Sequence, residues 1–124
     1  MKCVPFALSY LTGKPADDVM ASLQEDGGFS SRKLCFPRSV YIPLLEKLGA
    51  KITARVVSPR MTVKRWAALR ALHGDRAPWL IRISGHVMVY RDGALYDNGD
   101  PSGTGKAMEQ SGKCRVTHAW QVAA

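Results

Sequence analysis

Cys3, His86 and Asp97 have the residue types and surroundings that nucleophilic chemistry needs. Cys3 stands just ahead of an expected helix start. There the helix dipole and the free N–H groups of the first turn favour thiolate over thiol. His86 opens an expected hairpin within S-G-H-V-M-V-Y-R-D-G-A-L-Y-D-N-G-D-P (84–101), and Asp97 lies on its second strand. An imidazole can take the proton of a thiol. A carboxylate beside it fixes the tautomer and stabilises the imidazolium that forms. The expected roles are Cys3 as nucleophile, His86 as base and Asp97 as orienter.

The hairpin makes this a geometric expectation. A two-residue turn at Asp92-Gly93 sets Arg91 opposite Ala94, Tyr90 opposite Leu95 and Val89 opposite Tyr96. Continued, the same register sets Met88 opposite Asp97 and His86 opposite Gly99. Side chains alternate between faces, so His86, Met88 and Tyr90 share one face with Leu95, Asp97 and Gly99. Gly99 leaves room for the carboxylate to lean towards the imidazole, and Gly85 lets a substrate backbone approach. A bulge at the turn would promote Asn98 to the third position. Asp100 takes that position if the chain curls back after Gly99. Taken singly, each residue has a plainer reading: a small buried cysteine, a satisfied strand histidine, a polar residue flanking a turn. It is their combination that points to chemistry.

Apolar spacing and breakers give the elements that must position these residues. Helices are expected over 4–12, with Pro5 in the first turn and Gly13 as the stop, and from near Pro15 to Gly27-Gly28, with Val19, Met20 and Leu23 buried. Residues 29–38 read as polar and irregular. A third helix covers 41–48, with Pro43 in its first turn. A strand follows over 50–57, with Ile52, Ala54 and Val56 on one face. Thr62 is the N-cap of a fourth helix through His73, whose stripe is Val63, Trp66, Leu69 and Leu72. Strands are expected over 79–84, 87–90 and 94–97, and a mobile loop over 101–112. The last strand covers 114–123, with Cys114, Val116, His118, Trp120 and Val122 on one face. Helices come first and strands last, so the expected fold is α+β: a single domain over 1–124 in which the N-terminal helix packs on a C-terminal antiparallel sheet.

The chain has 124 residues, 46% of them hydrophobic, enough for one ordinary domain with a real core. No apolar run approaches the roughly 20 residues needed to span a bilayer. No secretory signal pattern appears, so a cytoplasmic protein is expected. Cys3, Cys35 and Cys114 are odd in number and widely spaced, which argues for free thiols rather than a disulfide framework or a metal site. No cofactor is expected. A zinc site from these cysteines and a histidine would have to gather ligands from distant segments. The net charge is +8, but the basic residues are scattered. The densest group, Lys64 and Arg65 with Arg60 and Arg70, reads as a solvated helix face. A nucleic-acid partner would need exposed aromatics beside it, and the spacing of Trp66 suits the core better. His118 reads as a core or supporting histidine, and His73 as a residue suited to a helix C-terminus.

The segments C-V-P-F-A-L-S-Y-L-T-G-K-P-A-D-D-V (3–19), S-G-H-V-M-V-Y-R-D-G-A-L-Y-D-N (84–98) and C-R-V-T-H-A-W-Q-V (114–122) resemble small phage and prophage members of the papain-like cysteine peptidase superfamily. The resemblance implies a helix-borne nucleophile at Cys3, a strand-opening base at His86 and an orienting Asp97. It implies a thiol hydrolase acting on peptide or isopeptide amides of a peptide or protein substrate, in a bacterial or phage-infected cell. One departure stands out. Papain-like enzymes commonly place a glutamine several residues upstream of the cysteine as an oxyanion donor, and here only Met1 and Lys2 precede Cys3. The second donor must come from elsewhere, or the start lies further upstream. The departure also leaves room for a catalytically inactive binding module of the same fold, engaging a phage, virion or host protein.

Overall fold

A computed structural model describes residues 3–27, 36–74 and 76–123. Its elements are α1 (Cys3–Thr12), α2 (Ala16–Gly27), α3 (Arg38–Lys47), β1 (Lys51–Val57), α4 (Val63–His73), β2 (Trp79–Ile83), β3 (His86–Arg91), β4 (Ala94–Tyr96), α5 (Lys106–Ser111) and β5 (His118–Ala123). The fold is α+β. The five strands form one antiparallel sheet in the order β1-β5-β2-β3-β4. The expected cysteine at position 35 lies outside the described residues, as does most of the segment read as irregular.

Helices cover both faces of the sheet. On one face α1, α2 and α3 bury Val4, Leu8, Leu23 and Leu45 against Leu80, Val87, Val89 and Trp120. On the other, Val63, Trp66 and Ala67 of α4 pack with Trp79, Ile81, Met88 and Tyr90. The Trp66 ring meets Trp79 and Tyr90 edge-on at 5.1 and 5.4 Å, so it is core and not a base-stacking platform.

Several expectations are corrected, each for a local reason. The stripe of α4 runs Val63, Trp66, Ala67 and Arg70, not through Leu72. Position 72 is nine residues from 63; at about 100° per residue that is the opposite side of the helix, and Leu72 is 82% exposed. Arg70 instead lays its guanidinium over the Trp66 and Trp79 rings. Second, a bulge between Ile52 and Ala54 splits the inward face of β1. Ile52 packs with the α1–α3 layer, and Ala54 and Val56 with the α4 layer.

Third, the last strand begins at His118, not at Cys114. The carbonyls of Gly112 and Cys114 accept from Lys64 N–H and Val63 N–H. Cys114, expected to pair in the sheet, and Gly112, expected in the loop, therefore satisfy orphan donors of α4. Cys114 and Val116 accordingly pack in the α4 layer. Fourth, residues 101–112 are not a bare loop but contain α5, which buries Ala107 and Ser111.

The third helix also starts earlier than expected, at Arg38, so Pro43 lies inside it. Its ring withdraws the N–H that would reach the Ser39 carbonyl, at an exposed first turn where the loss costs least. The early start carries Arg38 and Ser39 to the mouth of a cavity beside Cys3.

Candidate active site

Cys3 is the first residue of α1, and the burial of Val4, Ala7 and Leu8 against β3 fixes where that helix end points. His86 is the first residue of β3. It follows the two-residue Ser84-Gly85 turn, where Gly85 has φ +73° and a Cβ added there would meet open space. Gly85 is thus needed for its backbone conformation rather than for close approach. The Asp92-Gly93 turn has positive φ at both residues and sets the expected pairs Arg91 with Ala94, Tyr90 with Leu95, and Val89 with Tyr96.

Beyond Tyr96 the expected register stops. Asp97 and Asp100 exchange backbone hydrogen bonds and close a tight loop. Asp97 therefore does not face Met88, and Gly99 does not face His86. Instead Asp97 Oδ1 accepts the Gly99 N–H at 2.9 Å, while Oδ2 lies 3.1 Å from His86 Nε2. The carboxylate is buried and the imidazole half-buried. Tyr96 anchors this strand to α1: its ring lies 5.0 Å from that of Tyr10, and Gly103 passes beneath it where no Cβ would fit.

The loop chooses among the three candidate partners of His86. Asp100 is occupied elsewhere. Its Oδ1 accepts from the Thr104 N–H and hydroxyl, and its Oδ2 from the Ala107 N–H at the start of α5. Hydrogen bonds from the Thr104 and Ala107 backbone hold its carboxyl down at about 2. Asn98 is exposed. Asp97 is the one with an oxygen on the imidazole.

Asp100 also makes a prediction. A carboxyl held below its ordinary value stabilises the fold when ionised, and that contribution is lost as pH falls from near 4 towards about 2. Asp100→Asn puts an amide donor against an N–H donor. In melts followed by circular dichroism, its midpoint falls at neutral pH, and the acid-induced loss seen in the parent between those values is flattened.

Cys3 and His86 shift one another. Burial pushes the Cys3 thiol up, but the hydrogen bond with His86, the N–H groups of Val87 and Val4, and the imidazolium charge outweigh it and bring the thiol below its ordinary value. His86 is raised by its hydrogen bond to Cys3, against burial, with Asp97 adding a hydrogen bond and its charge. Both shifts favour thiolate and imidazolium. With Nε2–H donated to Asp97, Nδ1 of the neutral ring is the nitrogen left to take the thiol proton.

A scan against protein-family models and searches of the curated proteins and of the solved structures found no match.

The thiol opens on a cavity of about 650 Å³. Besides Cys3 and His86 it is lined by Arg38, Ser39, Tyr41 and Arg82, which the sequence expectations did not include. One signal was available: Arg82 is a lone charge in the otherwise apolar strand W-L-I-R-I. The Tyr41 hydroxyl is buried beside the Arg82 guanidinium, and burial pushes its pKa up to about 12. His118, expected to be a core or supporting residue, is half-buried, stacked on Trp120 and in contact with the Arg38 guanidinium. Among the described residues no three histidine, cysteine, aspartate or glutamate side chains are placed so that they could hold a metal ion, and no helix is long and apolar enough to cross a membrane.

Proposed function

We propose that this protein is a thiol hydrolase of the papain-like kind that cleaves a peptide or isopeptide amide through Cys3, His86 and Asp97. The observation that carries the reading is the His86 imidazole held between the Cys3 thiol and the Asp97 carboxylate, side chains brought together from α1, β3 and the loop after β4. A histidine kept only for packing has no need of a thiol on one side and a buried carboxylate on the other.

The steps follow from the geometry. The Cys3 thiol gives its proton to His86 and its sulfur attacks the substrate carbonyl carbon. The tetrahedral adduct collapses to a thioester as His86 protonates the departing amine. His86 then takes a proton from water, the resulting hydroxide attacks the thioester, and the acid leaves as the thiol re-forms. Asp97 stays ionised and steadies the imidazolium in both halves. The Cys3 backbone N–H, at the free end of α1, is one donor for the oxyanion.

The test is a screen of acyl-peptide aminocoumarin amides against the protein and its Cys3→Ala variant. Turnover that the variant lacks, with the acyl group found on Cys3 by mass spectrometry after acid quench, supports the reading. No turnover and no acyl adduct across the library leaves the chain a binding module on this fold.

A further inference from the structure

The cavity that holds the thiol also holds two guanidiniums, those of Arg38 and Arg82, and among the described residues no carboxylate lines it. Neither guanidinium is paired with an acidic side chain among the described residues. Each is held instead by a neutral acceptor. Arg82 Nη1 donates to Thr117 Oγ1 at 2.9 Å, and that hydroxyl is fixed in turn by donating to the Arg82 carbonyl at 3.0 Å. Arg38 rests on the His118 ring, which is fixed by its stack on Trp120.

These are oriented positive groups with no acidic side chain paired to them among the described residues. The first turn of α3, which has no side-chain cap and no acidic residue, opens on the same cavity and adds the positive end of a helix dipole. Neighbouring groups register the field. His118 is held below its ordinary value by burial and then by Arg38 and Arg82. Burial raises Tyr41, and Arg82 and Arg38 pull it back down.

We propose that Arg38 and Arg82 seat a carboxylate of the substrate, so that the bond attacked by Cys3 lies beside an acidic side chain or a free C-terminus of a peptide. This rests on the thiol-hydrolase reading and supplies its substrate class. Guanidinium forks suit a carboxylate, which offers two acceptor oxygens in one plane. A pocket of one sign with low-dielectric walls concentrates such a group near the thiol. The strand position of Arg82 has the same logic. A charge placed in an apolar strand is costly unless something uses it, and here its head reaches the cavity.

The test compares two alkylating agents of similar size, anionic iodoacetate and neutral iodoacetamide, at Cys3 and at Cys114 of the same chain. The iodoacetamide rate reports the thiolate and so the underlying reading. The ratio of the two rates reports the pocket, whether or not the thiolate is activated. The expected ratio at Cys3 exceeds that at Cys114 by about 10-fold or more. In the Arg38→Gln, Arg82→Gln double variant it falls by about 10-fold, and Arg82→Lys keeps most of it; both agents react with the same thiolate, so a change in thiolate fraction cancels in the ratio. The His86 imidazolium also attracts iodoacetate, but it is present in all of these variants and cancels.

Competition on the unmodified chain separates the two sources of the carboxylate. N-acetyl-trialanine acid, its amide, and the amide with a central glutamate are each tested for slowing of the iodoacetamide reaction at Cys3. Protection by the acid alone assigns a C-terminus, and protection by the glutamate peptide assigns an acidic side chain. A ratio unchanged in the double variant, or equal protection by the neutral amide, overturns the proposal. A slow iodoacetamide rate at Cys3 overturns the thiol-hydrolase reading instead.

Discussion

In His86→Ala, turnover falls by about 10²- to 10⁴-fold, the usual contribution of a positioned acid–base residue. Two losses combine. No group remains to take the thiol proton or to protonate the leaving amine. The thiol also loses the hydrogen bond and charge that hold it below its ordinary value, and burial alone then pushes it up. The pH profile changes shape accordingly. In the parent, activity rises as Cys3 ionises and falls as His86 loses its proton. The lowered thiol places the acid limb below the ordinary thiol range, and the raised imidazole places the alkaline limb above the ordinary histidine range. In the variant the alkaline limb disappears and the acid limb moves up. Steady-state rates across about pH 5 to 9 check this, with circular dichroism to confirm that the variant is folded.

Asp97→Ala has the second largest effect, about 10²-fold or more, and Asp97→Asn a smaller one. The carboxylate accepts at both oxygens, Oδ1 from the Gly99 N–H and Oδ2 from His86. An amide has one acceptor. If its oxygen stays with the imidazole, its NH₂ faces the Gly99 N–H, donor against donor. If it turns over, it meets the imidazole with a donor and favours the wrong tautomer. Because Asp97 raises His86, either substitution lowers the imidazole pKa and moves the alkaline limb of the rate profile down. A variant that only loosened the loop would lower the rate without moving that limb, so the position of the limb distinguishes the two roles.

The candidate side chains were legible because each sits on a short-range signal. Apolar spacing and Pro5 mark a helix start at residue 4, one residue past where α1 begins at Cys3, and Asp92-Gly93 sets the pairing of β3 with β4. The contact between His86 and Asp97 was expected for a partly wrong reason. It arises from the closed loop between Asp97 and Asp100, not from continued strand pairing. That loop depends on N–H groups of Thr104 and Ala107, several residues further on, and hydrophobic periodicity carries no trace of such bonds. The same holds for α5, too short to show a stripe, and for Gly112 and Cys114, whose carbonyls accept from the first N–H groups of α4. Arg38 and Arg82 meet at the cavity from a helix start and the middle of a strand, and only the fold brings them together.

The central claim is the Cys3–His86 pair, and the pH profile of iodoacetamide alkylation at each cysteine tests it most directly, read by mass spectrometry in the parent and in His86→Ala. The account predicts that Cys3 reacts far faster than Cys114 well below the ordinary thiol range of about 8.5, and that the difference vanishes in the variant. A Cys3 that titrates with Cys114, or that stays inert until the protein is denatured, contradicts it.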